Sequence, residues 1–307
     1  MNLSVNLGRL KLKNPVSVAS GTFGYAEEFK DLVCLEKLGA IITKTITRKP
    51  KQGNPPPRLV ETAAGMLNSI GLQNEGLDNF IKVKLPVLKK IKTKIIVSIG
   101  GTDAQEFVYL AQRLEDAGVE AVELNLSCPN IKYKGSKSIA ATMLAHNIRD
   151  ISKIVSSVCK KTKMVVIPKL SPNVTDIVSL AQAAEDSGAN AISLVNTFLA
   201  MAVDVKSYRP KLKNVTGGLS GPAIKPIALR MVYELAKALK VPVLGMGGIM
   251  TTDDALEFMI AGATAVSVGT ANFVNPRTAE EIINGLGKYL KEKKIKDINK
   301  IIGIIKT

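Results

Sequence analysis

One unit recurs along the chain: a helix-like segment, a glycine, then a short β-rich apolar run. It appears as LEKLGAIITK at 35–44, LEDAGVEAVELN at 114–125, AEDSGANAISLVN at 184–196 and MIAGATAVSVG at 259–269. Gly39, Gly118, Gly188 and Gly262 fit the left-handed residue that ends a helix before a tight turn. Helix starts are marked as well. Thr102-Asp-Ala-Gln105 has capping-box spacing, and Thr251 and Thr252 precede two aspartates suited to a helix N-terminus. Strand candidates fall at 15–20, 40–44, 94–99, 120–126, 164–170, 190–196, 241–247 and 265–269. They are short, Val/Ile-rich and nearly continuous in apolar character, as parallel strands covered on both faces are. A helical pattern follows each. Eight such units predict an α/β fold, a (β/α)8 TIM barrel, over a doubly wound open sheet, since no G-x-G-x-x-G follows an early strand. The opening VNLGRLKLKN at 5–14 predicts a β-hairpin at the barrel bottom.

A chain of 307 residues that is 46% hydrophobic can bury a large core. No stretch approaches the apolar length of a membrane span, and the start lacks a signal peptide's apolar run, so no membrane role and a cytoplasmic location are expected. The three cysteines, Cys34, Cys128 and Cys159, have neither disulfide, Fe–S nor zinc spacing. Cys34 and Cys159 sit in helix-like segments and are expected to be core or inert. His146 is the single histidine, which argues against a His-based triad or a His-rich metal site. The net charge of +16 raises a nucleic-acid role. However, the lysines are mostly spread singly, the clusters KKIKTK, KKTK and KEKKIKDINK lie beside amphipathic helices, and no RNA-binding aromatic motif accompanies them. Solvated surface, with no nucleic-acid partner, is the expectation.

In a barrel, the C-terminal strand ends gather on one rim, where this fold places its chemistry. Those ends carry Ser20-Gly21, Lys44, Asn125 to Asn130, Lys169, Asn196-Thr197, Gly247-Gly248 and Gly269-Thr270. Lysines there are costly to bury unless paired or used. In Asn125-Leu126-Ser127-Cys128-Pro129-Asn130, one proton-transfer group lies between amides able to donate and accept, which suits a small planar polar substrate. A turn holding a buried thiol fits the same hexapeptide. GMGGI at 245–249 and SVGTANF at 267–273 follow the seventh and eighth strands, where barrels often bind phosphate. TGGLSGPAIKP at 216–226 is a third such element, with Ser220-Gly221 ahead of a helix start marked by Pro222. A phosphate clamp with rim lysines points to FMN or to a phosphorylated substrate.

Seven motifs together resemble the class 1 dihydroorotate dehydrogenases, over essentially the full length. They are NSIGLQN at 68–74, NLSCPN at 125–130, IPKLSPNVTDI at 167–177, VNT at 195–197, GGLSGPA at 217–223, GMGGI at 245–249 and VGTANF at 268–273. The likeness is to the FMN-containing catalytic subunit of the NAD-linked (type B) heteromeric enzyme. It implies one FMN-binding barrel domain over 1–307 that oxidises (S)-dihydroorotate to orotate in pyrimidine biosynthesis. By that resemblance Cys128 is the base that removes the C5 proton while hydride passes from C6 to FMN. Asn68, Asn125, Asn130, Asn196 and Thr197 match residues that hold the substrate, with backbone near Ile70, Gly71 and Leu72 around its carboxylate. Lys44 lies where the family contacts both flavin and substrate, and Lys169 matches the lysine at the flavin pyrimidine edge. Ala19, Ser20, Gly21, Thr45, Asn125 and Val195 would line the flavin. Gly221, Gly247, Gly248, Gly269 and Thr270 would hold its ribityl chain and phosphate. The segment after the hexapeptide, IKYKGSKSIAATML, keeps Gly135 but departs from the family's lid by lacking an aromatic-Gly-x-Asp-Pro run.

The chain carries no Cys cluster and no second nucleotide-binding domain. The resemblance therefore implies a partner subunit bearing FAD and a 2Fe–2S cluster, around a homodimer within a heterotetramer. Two related readings compete: a homodimeric fumarate-linked enzyme, and a dihydropyrimidine dehydrogenase module, in which Pro-His-Gly follows the cysteine where this chain has Pro129-Asn130.

Overall fold

The structure, a computed structural model, describes residues 1–126 and 147–306. Eight parallel strands close into a barrel: β1 (Val16–Val18), β2 (Ala40–Ile42), β3 (Lys94–Ile99), β4 (Ala121–Asn125), β5 (Val165–Lys169), β6 (Ile192–Leu194), β7 (Val243–Met246) and β8 (Ala265–Val268). They pair in chain order around the ring, and β8 closes onto β1 through Ser267↔Ser17. All eight predicted strands are present; Lys94–Ile99 has the predicted bounds and the other seven are shorter than predicted. The strands are buried almost end to end, which explains why their sequences lack an apolar–polar alternation.

Helices α1 (Ala104–Asp116), α2 (Ile148–Lys161), α3 (Ile177–Asp186), α4 (Lys225–Ala238), α5 (Thr252–Ala261), α6 (Ala271–Val274) and α7 (Thr278–Glu292) fill the connections from β3 onward. In α2 the buried residues are Ile151, Ile154, Val155 and Val158, at i, i+3, i+4 and i+7, so one apolar stripe faces the barrel while lysines face water. α5 begins with the predicted cap: the Thr251 hydroxyl accepts the Asp254 N–H while the Asp254 carboxylate takes the Thr251 N–H.

Several expectations are corrected. The cap of α1 is displaced by one residue: Asp103 accepts the Glu106 N–H at 2.9 Å, and Glu106 reaches back to Thr102. No α-helix joins β1 to β2. Only the 3₁₀ turns Glu27–Phe29 and Leu35–Lys37 form, because Ala26 (φ 71°) and the extended Cys34 interrupt the run. Cys34 is accordingly exposed rather than in the core. Gly118, Gly188 and Gly262 have positive φ as the helix-ending pattern requires, but Gly39 does not. Gly39 is needed for space, since a Cβ there would collide with the Asn14 carbonyl.

At the N-terminal ends of the strands sits the hairpin Val5–Leu7/Leu10–Leu12, its leucines buried and Asn6 and Lys11 exposed. Arg9 donates to the Met164 carbonyl just before β5. At the opposite end, two long connections meet in a four-stranded antiparallel sheet that no sequence pattern predicted. Its order is Phe198–Met201, Thr216–Ser220, Gly65–Asn68, Leu59–Thr62.

Candidate active site

A cavity of about 310 Å³ opens at the C-terminal rim. β1 delivers Ala19, Ser20 and Gly21 to it, and β2 delivers Lys44 and Thr45. From β4 comes Asn125, whose Nδ2 donates to Thr45 Oγ1 at 3.0 Å. β6 leads into Val195, Asn196 and Thr197; Asn196 Nδ2 donates to Asn125 Oδ1 at 3.4 Å, bringing the two amides together. The sheet contributes Asn68, whose amide donates to the Gly218 carbonyl at 3.3 Å.

Ile70, Gly71 and Leu72 form the next stretch of wall. Their backbone is anchored from behind: the Asn54 N–H donates to the Ile70 carbonyl at 2.9 Å and Asn74 Nδ2 to the Leu72 carbonyl at 2.8 Å. Leu72 itself sits at φ 56°, a conformation disfavoured for a branched side chain and held by those bonds. Gly221, Gly247, Gly248, Gly269 and Thr270 complete the ring, with Thr270 donating to Ser220 Oγ at 2.8 Å. Cys128 and Asn130 lie outside the described residues, as do His146 and Gly135.

The glycines are spaced for a ligand rather than only for turns. At Gly21 a Cβ would meet nothing within 4 Å, and at Gly269 only the Ala19 methyl, at 3.8 Å. Side chains at these positions would project into the cavity, so their absence leaves a cradle. Gly247 and Gly248 have φ of 122° and 82°, which larger residues rarely adopt, and their Cβ positions would press on Ala228 and Lys225. This donor set, glycine turns beside hydroxyls and a lysine, fits a flat phosphate-bearing cofactor.

Of the two lysines lining the cavity, Lys169 is the more buried, only 5% exposed at the end of β5. Its Nζ lies 3.9 Å from Oε1 of Glu123, which is fully buried in the middle of β4. Glu123 also receives the hydroxyls of Ser98 at 3.3 Å and Ser193 at 3.1 Å. Sequence reasoning missed Glu123 because it was absorbed into an apolar run. The available signal was its spacing, two residues before Asn125 and hence on the same face of the strand. Lys44 is half-buried, and burial holds its pKa below the usual lysine range, with Glu28 pulling the other way. Cys159 is half-buried on α2: burial pushes its thiol up to about 11, and its Sγ donates to the Gly188 carbonyl at 3.2 Å.

A closed parallel barrel with amides, hydroxyls, a paired lysine and glycine turns converging on one rim cavity defines an α/β-barrel enzyme acting at its strand C-termini. A sequence model of dihydroorotate dehydrogenase matches residues 2–290, so the chain belongs to that flavin-dependent family. It is similar to the dihydroorotate dehydrogenase B (NAD(+)) catalytic subunit of Thermoanaerobacter sp. (strain X514), 54% identical over 307 residues and covering 100% of both chains. The protein of the same name from Desulforamulus reducens is 51% identical over 304 residues, covering 99% of this chain and 98% of that one. Among solved structures, the crystal structure of DHODH from Eimeria tenella in complex with ferulenol gives a TM-score of 0.80 at 25% identity, covering 99% of this chain and 88% of that one. Among the described residues no helix is long and apolar enough to cross a membrane.

Proposed function

We propose that this chain oxidises (S)-dihydroorotate to orotate, with one FMN held in the rim cavity of a single barrel domain. The observation that carries the reading is convergence: the glycine cradle, buried Lys169 and the amides of Asn68, Asn125 and Asn196 line one cavity. FMN, when bound, supplies the hydride acceptor. Gly221, Gly247, Gly248, Gly269 and Thr270 would hold its phosphate and ribityl chain, and Ala19, Ser20, Gly21, Thr45 and Val195 would face its ring system.

Lys169 places a positive charge where burial strengthens its field, and Glu123 offsets part of the cost. Asn125 and Asn196 brace one another and, with Asn68, Asn130 and Thr197, would hold the pyrimidine ring. The wall at Ile70, Gly71 and Leu72 would receive its carboxylate. Lys44 would lie between cofactor and substrate. Cys128, three residues beyond Asn125, would take the C5 proton. A free thiol titrates near 8.5, so a thiolate base needs the positive field of the rim lysines or a raised working pH.

The relatives' designation as NAD(+)-linked catalytic subunits supports a division of labour, in which NAD is reduced through a partner subunit. We assign FAD and a 2Fe–2S cluster to that partner, a homodimer within a heterotetramer to the assembly, and the cytoplasm as its location. The family match favours dihydroorotate over a dihydropyrimidine as the substrate.

Anaerobic mixing with dihydroorotate tests the reading. The flavin absorbance is expected to bleach, and Cys128→Ala is expected to slow bleaching by about 100-fold or more while keeping FMN. Bleaching by dihydrouracil alone would replace the substrate, and near-normal rates in the variant would remove Cys128 as base. Efficient NADH formation without a second subunit would remove the proposed partner.

A further inference from the structure

We infer that Glu123 is a positioning residue for both halves of the site, acting on the cofactor side through Lys169 and on the substrate side through a directed chain Ser98–Thr45–Asn125. The inference rests on the function proposed above and assigns to it a residue that touches neither ligand.

A carboxylate buried without compensation costs several kcal/mol, so a fully buried glutamate inside a barrel strand requires partners for both oxygens. Glu123 has them. Strand register sets Ser98 of β3 directly opposite Glu123 of β4, and Ser193 of β6 opposite Lys169 of β5. Oε1 accepts from Ser98 Oγ at 3.3 Å and lies 3.9 Å from the Lys169 ammonium, while Oε2 accepts from Ser193 Oγ at 3.1 Å.

The chain toward the substrate has a defined direction because the Glu123 carboxyl, facing the Lys169 ammonium, accepts from both serines and each hydroxyl has one proton. Ser98 gives its proton to Glu123, so across the 2.9 Å contact it accepts from Thr45. Thr45, its own proton committed, accepts from Asn125 Nδ2 at 3.0 Å. Ser20 at 3.2 Å must then donate to Thr45 rather than accept. The outcome is a fixed amide: Asn125 turns Nδ2 toward Thr45 and Oδ1 toward Asn196. Ser98 and Glu123 are fully buried and Thr45 nearly so, which shields the inner part of this path from water. A substrate ring that must find a donor at one place and an acceptor at another meets an amide whose orientation was decided two hydroxyls away.

The test uses the FMN-loaded enzyme and two variants, reading orotate affinity from the flavin absorbance change and, without substrate, the flavin midpoint potential. Glu123→Gln supplies an amide that can donate as well as accept, so the chain loses its direction and Lys169 loses its counter-charge. Orotate affinity is expected to fall about tenfold or more, the range for hydrogen bonds to a charged group. The potential is expected to move positive, because an uncompensated Lys169 favours the more negative reduced flavin. Ser98→Ala removes the hydroxyl that links Glu123 to Thr45 but leaves the Glu123 carboxylate beside Lys169; orotate affinity should fall about threefold, as for a neutral hydrogen bond, with the potential moved less than in E123Q. Orotate affinity within about twofold of wild type in both variants, or an S98A potential displaced as far as that of E123Q, overturns the inference. If E123Q does not fold, S98A decides alone, and unchanged orotate affinity in it is the overturning result. Wild-type protein that holds FMN yet binds no orotate defeats the proposed substrate instead. The cofactor arm is then still decided by the E123Q potential, and an unchanged value overturns it.

Discussion

The barrel strands pair with neighbours in chain order and are buried almost end to end, whereas the antiparallel sheet at the rim joins Asn68 to Gly218, residues 150 apart, with strands that remain half-exposed. In the barrel each strand carries its own reason to be a strand, a short apolar run, led in at β4, β6 and β8 by a glycine-ended helix. The sheet strands GMLN and TGGLS carry little local preference, and glycines are frequent in them. They pair because two long connections, one after β2 and one after β6, are brought over the same cavity. Stability therefore resides in the barrel, while the sheet shapes the site. Gly217 and Gly218 illustrate this: a Cβ on Gly217 would press on the Asn68 carbonyl, and one on Gly218 would collide with the Thr197 hydroxyl.

Substitutions in the barrel and in the sheet separate stability from binding. Phe107, fully buried on α1, should cost about 3–5 kcal/mol of unfolding free energy when changed to Ala, read by denaturant titration, while the folded fraction keeps its orotate affinity. Gly218→Ala should do the reverse. Displacing Thr197 should weaken orotate binding by about tenfold, roughly the effect of one well-placed polar contact, with a smaller stability loss than at Phe107. Equal effects of both variants on both readouts would dissolve the distinction.

Smaller effects sharpen it at the barrel's helices. Thr251→Ala removes the α5 cap and should cost about 1 kcal/mol in the same titration. Burial tends to raise the pKa of its partner Asp254, but the Lys225 ammonium at 2.6 Å and the Met250 and Thr251 N–H groups outweigh it and hold the carboxyl below its ordinary value. Its contribution to stability is thus complete above the unfolded carboxylate pKa of about 3.9 and is lost as pH falls through the lower folded value. Asp254→Asn should flatten that acid limb of the stability profile. Last, an alkylating reagent at pH 8 should modify exposed Cys34 well before Cys159, whose thiol is pushed up to about 11. Faster labelling of Cys159 would mean that α2 opens readily.

Much of this architecture was legible from the sequence. The eight strands, the hairpin and the α5 cap follow from periodicity and punctuation, which are properties of neighbouring residues. The rim residues were legible because a strand end is also local. What escaped was non-local. The pattern at 29–38 looked helical, yet the extended Cys34 breaks it and only short 3₁₀ turns form. Gly39 looked like a helix terminator, and its actual constraint is contact with Asn14, 25 positions earlier in the chain. Glu123 passed as part of an apolar run, because its partners Ser98, Lys169 and Ser193 lie on three other strands.

The succession of eight short apolar strands, three of them led in by a glycine-ended helix, thus marked the chain as a barrel with its polar strand ends on one rim. Local backbone preference and burial on both faces leave few other ways to satisfy eight such strands. Tertiary structure alone decided which rim residues face one another, how the two long connections pair across the cavity, and which way the Asn125 amide points. Those outcomes depend on strand register and on the proton count of a buried hydrogen-bond chain, neither of which is written in any contiguous stretch of residues.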